Sequence, residues 1–377
     1  MTQPFDVLVV GARCAGATTA LHYARQGRRV LLVDRARLGS DTLSTHALMR
    51  AGVQALVQLG VEPTLRARGT PVVRHTTIHY GREAPIEVDI VPKHGVQGLL
   101  APRRTVLDRV LVEAAVDAGV EVRFGTSLHA VTHEDHGRVN GAVLHCRGVR
   151  ETVRARLVVG ADGRRSTVAE QVGARTLLQS PRGTSNAYAY VSGLPQDTYE
   201  WTYDAAASSG IIPTNEGLAC VFVCGAPKNV QSRLAADPVK GWQQLLRRAH
   251  PDVAERVFAG HRETPVYRFS GAVGHLKQAA GPGWALVGDA GYFKDPLTAH
   301  GITDALRDAA LLASATDARG EVGPSYAECR DTLARPFLAI TDALARHDWD
   351  LERVQCLHQA LHDEMKRERS WLLAQAA

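Results

Sequence analysis

The sequence lacks the features that mark several large protein classes. No apolar run among its 377 residues reaches the length of a membrane span, so we expect no membrane-spanning segment. The first predicted strand starts at Phe5, which leaves no room for a targeting segment. The six cysteines show no zinc-site spacing, and a chain of this length needs no disulfides. We therefore expect a protein of the reducing cytoplasm.

The chain also has no basic run, no repeat and no low-complexity stretch. Its formal net charge of +5 is spread along the sequence, which makes nucleic acid a poor candidate partner. With 45% apolar and 22% charged residues, the composition is that of an ordinary globular protein. A length of 377 residues exceeds one typical core and predicts two joined domains.

The segment from Phe5 to Arg35 predicts a strand, a helix and a second parallel strand. Gly11 and Gly16 occupy the outer positions of a G-x-G-x-x-G fingerprint, and Asp34 ends the second strand, where a ribose hydroxyl is held in dinucleotide-binding units. Arg13 replaces the middle glycine. Its side chain either blocks the turn or points outward and lends its guanidinium to phosphates, and we favour the second interpretation.

Two later strands end in similar turns. The buried run Leu157 to Val159 leads into Ala161-Asp162-Gly163, with Ser166 as a helix cap. The run Trp284 to Val287 leads into Gly288-Asp289, and a helix is predicted from about His300. Other predicted helices begin near His46, run from Arg103 to Ala118 and from Pro238 to Val257, and fill the chain beyond Pro324.

Alternating patterns between these units predict a second, largely antiparallel sheet. A hairpin lies between Thr70 and Val91, and a strand near residue 190 places Tyr188, Tyr190 and Ser192 on one face. We divide the chain into a dinucleotide-binding domain (1–69 with 93–174 and 275–320), a substrate domain (70–92 with 175–274) and a C-terminal helical segment (321–377).

In their order and spacing, the three turns resemble those of the class A flavoprotein monooxygenases, the para-hydroxybenzoate hydroxylase-like group. Geranylgeranyl reductases and flavin-dependent halogenases are related to this group. The resemblance implies an α/β fold in which a Rossmann-like FAD-binding domain is interleaved with a mixed or antiparallel sheet domain, followed by C-terminal helices. The implied FAD-binding residues are Gly11, Arg13, Cys14, Ala15, Gly16, Asp34, Arg35, Arg104, Asp162, Gly163, Gly288, Asp289, Pro296, Gly301 and Ile302.

The loop after Asp289 departs from the family pattern P-x-x-G-x-G-x-N. Pro296 and Gly301 match it, whereas Ala299 and Thr303 replace glycine and asparagine. We take Pro296, His46, Lys294 and His300 as candidate catalytic residues. For His46 the alternative is a supporting or surface histidine, and for Lys294 it is a side chain pointing to water.

The resemblance implies that NADPH or NADH visits transiently to reduce the flavin, because no second G-x-G-x-x-G unit exists; a separate reductase is the alternative. Dioxygen then adds to form a flavin hydroperoxide, which hydroxylates or epoxidises a small, aromatic or polyketide-like substrate of secondary metabolism. Tyr188, Tyr190 and Trp201 are expected to line the substrate pocket or to pack in the core.

Three other functions stay open. A geranylgeranyl reductase-like enzyme is compatible with the segment Gly301 to Ala305. A halogenase is disfavoured because the paired-tryptophan motif is absent from the corresponding stretch Ser209 to Pro213. A binding protein without turnover, of the dissociation-inhibitor type, is disfavoured because Asp162 and Asp289 are both present.

Overall fold

The computed structural model describes residues 3–181 and 183–375. The strands in chain order are β1 (Phe5–Val10), β2 (Val30–Asp34), β3 (His75–Tyr80), β4 (Ile86–Asp89), β5 (Glu121–Phe124), β6 (Thr126–His133), β7 (Val139–Cys146), β8 (Val149–Gly160), β9 (Thr176–Gln179), β10 (Ser185–Ser192), β11 (Thr198–Tyr203), β12 (Ser208–Pro213), β13 (Leu218–Gly225), β14 (His261–Arg262), β15 (Tyr267–Phe269), β16 (His275–Lys277), β17 (Ala280–Gly281), β18 (Trp284–Leu286) and β19 (Tyr292–Phe293). The α-helices are α1 (Cys14–Arg25), α2 (Arg50–Gln58), α3 (Glu62–Ala67), α4 (Arg104–Asp117), α5 (Thr167–Gln171), α6 (Pro227–Leu234), α7 (Pro238–Ala249), α8 (Pro251–Ala259), α9 (Gly301–Ser314), α10 (Pro324–Ala345) and α11 (Leu351–Gln375).

The first sheet has the order β17-β18-β8-β1-β2-β5, in which all pairings except that of β17 are parallel, and β6 and β7 extend it from β8 by antiparallel pairing. Val7 and Val9 face α1, α4 and α9, whereas Leu8 and Val10 face β7 and α5. Burial on both faces explains why the strand reads as a continuous apolar run. The α/β fold and the interleaved sheets agree with the sequence prediction.

The strand β8 belongs to two pairings. Its first half pairs antiparallel with β7, and its second half pairs parallel with β1, so that Phe5 lies opposite Ala155 and Val10 opposite Gly160. The sequence pattern predicted the buried run Leu157 to Val159 as a strand. This run is the last part of a longer strand, β8, whose burial pattern changes from alternating to continuous without a turn.

The second sheet has the order β14-β10-β13-β12-β11-β3-β4, and β15 also pairs with β10. The hairpin of β3 and β4, which the sequence pattern predicted, joins this sheet through parallel pairing with β11. Ala187, Ala189 and Val191 pack under α7 and α8, whereas Tyr188 and Tyr190 lie on the opposite face. A third small sheet has the order β19-β16-β9.

Two predicted helices differ from the structure. The helix expected near His46 begins at Arg50, because Leu48 forms an antiparallel bridge with Leu100. The helix expected from Pro238 to Val257 is divided into α7 and α8. His250 is extended there, with φ −164° and ψ 109°, as residues before proline prefer.

The C-terminal helix α11 carries both exposed and buried charged residues. Lys366 and Arg367 are exposed, whereas the next residue, Glu368, is buried. Among the residues that the structure describes, no helix has the length and apolar character needed to cross a bilayer.

Candidate active site

The three predicted turns lie against one another at the carboxyl ends of the central strands. Gly11 has a φ of +105°, and a Cβ there would lie 2.4 Å from the carbonyl oxygen of Ala161 in the second turn. The Ala161 amide donates to the Val10 carbonyl at 2.8 Å. In the third turn, an added Cβ at Gly288 would lie 3.0 Å from the Ala15 Cβ. Close backbone packing therefore unites three distant segments of the chain.

The carboxylates of the first two turns accept hydrogen bonds from backbone amides. Asp34 accepts from Ala12 and Ala36, both at 2.7 Å. Asp162 accepts from the Thr167 amide at 2.7 Å and so caps the start of α5. Each carboxylate fixes its own turn and keeps further acceptor positions. Their contacts with a ribose or another ligand stay predictions.

The carboxylate of Asp289 differs from the other two. None of the hydrogen bonds formed by the described residues reaches its side-chain oxygens, and the residue is half-buried. Burial raises the pKa of this carboxyl, and the charges of Arg104 and Lys294 act in the opposite direction. A half-buried acceptor without a protein donor suits a ligand that carries hydroxyl groups. This is the observation by which the turn fits a ribityl chain.

A second acidic residue organises the start of α1. Asp108 accepts from the Cys14 amide and from Arg104, both at 3.0 Å, and it pairs with Arg13 at 3.1 Å. Arg104 is buried and also reaches the Cys14 sulfur at 3.5 Å. Burial raises the pKa of the Cys14 thiol to about 11, so it is a protonated packing group.

Arg13 does not block the first turn. Its guanidinium also donates to the carbonyls of Ser40 and Asp41, at 3.3 and 3.2 Å. Arg35 is exposed at the end of β2. In the second turn, Gly163 has a φ of +80° and no atom within 4 Å of an added Cβ. Phosphate contacts by the two arginines stay predictions.

The loop before α9 is tied to the second sheet. Asp295 accepts from the Thr184 amide at 2.5 Å and from the Leu297 amide at 3.1 Å. Pro296 is exposed, and Ala299 lies in the left-handed region with φ 50°. That conformation favours glycine, which explains why the family pattern has glycine at this position.

The first turn of α9 is open at its N-terminal end. Its N-cap residue, His300, makes no side-chain cap, and a Cβ added to Gly301 would meet nothing within 4 Å. Ile302 is half-buried and packs against the core of the first sheet. Uncapped amides at the start of a helix favour an anionic group. The resemblance places the flavin at this position, and that placement stays a prediction.

Lys294 and His300 are buried on the side of α9 that faces the C-terminal helices. Lys294 forms an ion pair with Asp304, and burial lowers the pKa of Lys294 below its ordinary value. His300 stacks on Phe337 at 4.5 Å, and its Nε2 lies 2.7 Å from Glu368. The alternative in which Lys294 points to water is wrong. Direct contact of either side chain with a substrate stays a prediction.

His46 lies buried between the two sheets. Its backbone is left-handed, with φ 64°, and its Nε2 contacts the Tyr190 hydroxyl. Its Nδ1 has no partner among the described residues. Burial, with the charges of Arg104 and Arg103, lowers the pKa of His46 to about 3. The imidazole is therefore neutral near pH 7, and the alternative of a surface histidine is wrong.

The aromatic face of the second sheet lies beside His46. Tyr188, Tyr190, Trp201 and Phe222 pack with apolar residues from three segments outside that sheet, which are 47–49, 99–101 and 297–299. The Arg103 guanidinium lies 4.3 Å from the Tyr190 ring centroid. These segments directly precede α2, α4 and α9, so the aromatic face and the loops around the proposed cofactor site share one boundary.

Sequence reasoning missed Asp108, Asp295 and Glu368. Asp108 follows Arg104 by one helical turn, and Asp295 precedes Pro296, where a helix cap is common. Those two carried a local signal. Glu368 carried none, because its partners lie more than sixty residues away in sequence.

Comparison with known proteins shows one matching family and several relatives. A family model described as an FAD binding domain matches residues 4–324. Menaquinone reductase of Mycolicibacterium smegmatis is 28% identical, with 92% of this chain and 84% of that protein covered. Digeranylgeranylglycerophospholipid reductase of Methanosarcina acetivorans is 29% identical over 83% of this chain and 75% of that protein. The 6-methylpretetramide 4-monooxygenase of Streptomyces rimosus is 27% identical over 82% and 55%.

Solved structures show the same fold. PqsL of Pseudomonas aeruginosa, in complex with 2-aminobenzoylacetate, superposes with a TM-score of 0.81 at 21% identity, covering 95% of this chain and all of that one. The flavin-dependent brominase Bmp2 has a TM-score of 0.80 at 19% identity, covering 97% and 93%. The fold predicted from the three turns is confirmed.

Proposed function

Since this chain belongs to the FAD binding domain family, we propose that it is an FAD-dependent monooxygenase acting on a small aromatic or polyketide-like substrate. The family supports the coarser statement, an FAD-dependent oxidoreductase of the monooxygenase, halogenase and reductase group. The observation that carries the finer proposal is the aromatic face of Tyr188, Tyr190 and Trp201, which adjoins the proposed flavin position.

The chain's three turns would hold the cofactor. The start of α1, from Gly11 to Gly16, would bind the pyrophosphate, with Asp34 on the ribose and Arg104 at the side. Asp289 would accept hydrogen bonds from ribityl hydroxyls, since the described residues give it no other donor. Asp162 and Gly163 would border the approach of the nicotinamide nucleotide.

The N-terminus of α9 would act on the charge of the reduced cofactor. Uncapped amides at Gly301 and Ile302 favour negative charge by up to about 1 kcal/mol per interaction. Bound FAD, once reduced, would supply two electrons to dioxygen, so that one oxygen atom of the dioxygen passes to the substrate and the other leaves as water. NADPH or NADH as transient reductant, or a separate reductase, fits a chain with one dinucleotide fingerprint.

The substrate side supplies orientation and a dry environment. His46 is neutral and contacts Tyr190, so this pair offers hydrogen bonds without a buried charge. Trp201 and Phe222 exclude water by packing. Hydroxyl groups on Tyr188 and Tyr190 suit a substrate that carries oxygen, such as a phenol, better than a purely aliphatic chain.

A second candidate is the reduction of a carbon–carbon double bond. It is favoured by the names of two relatives, menaquinone reductase and digeranylgeranylglycerophospholipid reductase, which match this chain over most of their lengths. In that reaction a hydride and a proton are added, and dioxygen takes no part. The two reactions share the FAD site and differ in the fate of the reduced cofactor.

One experiment separates the candidates. The holoprotein is reduced with NADPH, NADH or dithionite, and a panel of phenols, aromatic acids and prenylated quinones is offered with isotopically labelled dioxygen or under argon. The monooxygenase proposal expects a product carrying one labelled oxygen and no turnover under argon. A product with two added hydrogens under argon supports the reductase. A halogenated product that requires bromide or chloride supports the halogenase alternative.

A further inference from the structure

Buried charged residues contact the first two turns of α9 on the side that faces the C-terminal helices. Glu368 of α11 is 0% exposed. Its Oε2 lies 2.7 Å from His300 Nε2, and its Oε1 accepts from Arg307 at 2.7 Å. Arg307 also pairs with Asp304 at 2.8 Å and with Asp308 at 2.7 Å. Both oxygens of one carboxylate on the C-terminal helix therefore engage α9, at its N-cap and in its second turn.

The charges in this cluster depend on one another. Glu368, Asp304 and Asp308 supply three carboxylates, while Lys294 and Arg307 supply two cations and His300 a third donor. Although burial alone raises the pKa of Glu368, the donors His300 and Arg307 lower it to about 2. Removing one member of such a group leaves a buried charge without its partner, which costs more than the pair contributes.

The donor atoms of His300, Asp304 and Glu368 lie close enough together to ligate a metal ion. The protein's own cations already occupy this position. Lys294 and Arg307 contact Asp304, and Arg307 also contacts Glu368. A divalent ion would have to displace them. The cluster is therefore an internal support for α9 rather than a metal centre.

We propose that Glu368 is a positioning residue for the flavin, which makes the C-terminal helix a component of the cofactor site. By accepting hydrogen bonds from His300 and Arg307, Glu368 fixes the direction in which the first α9 amides point toward the flavin. Its carboxylate also places a negative charge behind these amides. The inference rests on the proposed placement of FAD at the N-terminus of α9. It adds a residue beyond position 324, where the FAD-binding family model ends.

The test compares Glu368→Gln with two controls on the same helix. Asp363→Asn removes an exposed carboxylate, and Leu361→Ala removes a buried apolar side chain outside the charged cluster. The FAD dissociation constant, the flavin midpoint potential, the flavin absorbance spectrum and the unfolding temperature are measured for each holoprotein.

For Glu368→Gln we expect the FAD dissociation constant to rise about tenfold or more, since a charge-assisted hydrogen bond is lost. The midpoint potential becomes more positive, because one buried negative charge behind the helix terminus is removed. Glu368→Asp, which retains the charge, recovers most of the potential. Leu361→Ala lowers the unfolding temperature without moving the potential, and Asp363→Asn changes neither.

The proposal is overturned if Glu368→Gln and Leu361→Ala lower the unfolding temperature equally and both variants keep the wild-type midpoint potential and absorbance spectrum. If Glu368→Gln does not fold, Glu368→Asp is compared with Leu361→Ala. Equal FAD dissociation constants of these two variants at equal unfolding temperatures then overturn the proposal. A wrong placement of the flavin gives a different result. In that case Asp289→Ala retains FAD, and Glu368→Gln leaves FAD binding unchanged.

Discussion

At the scale of single residues, the three aspartates of the turns differ in what they do. Asp34 accepts from the Ala12 amide and Asp162 from the Thr167 amide, whereas the half-buried Asp289 has no side-chain donor among the described residues. Burial raises the pKa of Asp289, an energetic cost that a ligand donor would offset. The third turn is therefore the one whose side chain depends most on a bound molecule.

Replacing this carboxylate tests the assignment. For Asp289→Ala we expect loss of tight FAD retention, because the ribityl acceptor is removed, while the apoprotein keeps its stability. The flavin content after gel filtration and the urea midpoint of the apoprotein measure the two effects. Asp252→Ala, which removes an exposed aspartate from α8, serves as the control. Unchanged flavin content in Asp289→Ala would contradict the ribityl contact.

The left-handed alanine before α9 gives a second prediction. Ala299 has φ 50° and ψ 36°, a conformation that costs a residue with a Cβ roughly 1 kcal/mol. Ala299→Gly relieves this cost but adds freedom to the unfolded chain, so we expect a change between zero and about 1 kcal/mol of stabilisation.

Urea unfolding of the apoprotein checks this expectation. In the control, Ala360→Gly on the exposed side of α11, the same substitution falls within a helix and costs about 1 kcal/mol. If both variants are destabilised equally, the strain at Ala299 does not contribute to the free energy of unfolding.

At the scale of elements, stability at the site depends on how closely the first and second turns approach. A Cβ at Gly11 would lie 2.4 Å from the Ala161 oxygen, and φ is +105°. For Gly11→Ala we expect a loss of about 2–4 kcal/mol, from strain and overlap together. Gly27→Ala, where φ is +76° and nothing lies within 4 Å, isolates the strain alone. Chemical denaturation of both apoproteins decides whether the overlap matters.

The elements also show what local sequence could and could not determine. The ends of β1, β8 and β18 were predictable because apolar runs stop at glycine or aspartate. The division between α7 and α8 had a signal in Pro251 that the amphipathic pattern concealed. The start of α2 had no such signal. His46 is held in a left-handed conformation by contacts with Tyr190, which is distant in the chain.

The candidate site was also predictable only in part. The glycines and aspartates of the three turns were predictable because they stand at the ends of strands. Glu368 did not, because an acidic residue within a run of charged residues normally faces water. Its burial is decided by the pairing of α11 with α9, and sequence spacing does not reveal that contact.

At the scale of the whole molecule, burial makes the protein sensitive to acid. It lowers the pKa of His22, His347 and His358 to about 4 and that of His46 to about 3. The unfolded chain has histidine pKa values near 6.5. At pH values between the folded-state and the unfolded-state pKa of these histidines, the unfolded chain therefore binds more protons than the folded one. The free energy of unfolding therefore falls as the pH falls below about 6.5, by up to about 1.4 kcal/mol per pH unit for each histidine.

Urea unfolding at a series of pH values between about 7 and 4.5 measures this slope. His358→Gln keeps an acceptor for the Tyr80 hydroxyl and is expected to reduce proton uptake on unfolding by about one. His145→Gln, on the surface, serves as the control. Equal slopes for the two variants would exclude His358 as a source of the acid sensitivity.

The hydrogen bonds between Asp295 and Thr184 have a mechanical consequence. They tie the loop before α9 to the residue that precedes β10, the strand carrying Tyr188 and Tyr190. We expect a bound molecule that displaces the tyrosines to displace the segment leading into α9 as well. Conversely, a molecule that changes the conformation of that segment is expected to shift the tyrosines. We expect any change in affinity that occupancy on one side of this tether causes on the other to be reciprocal, by the same factor.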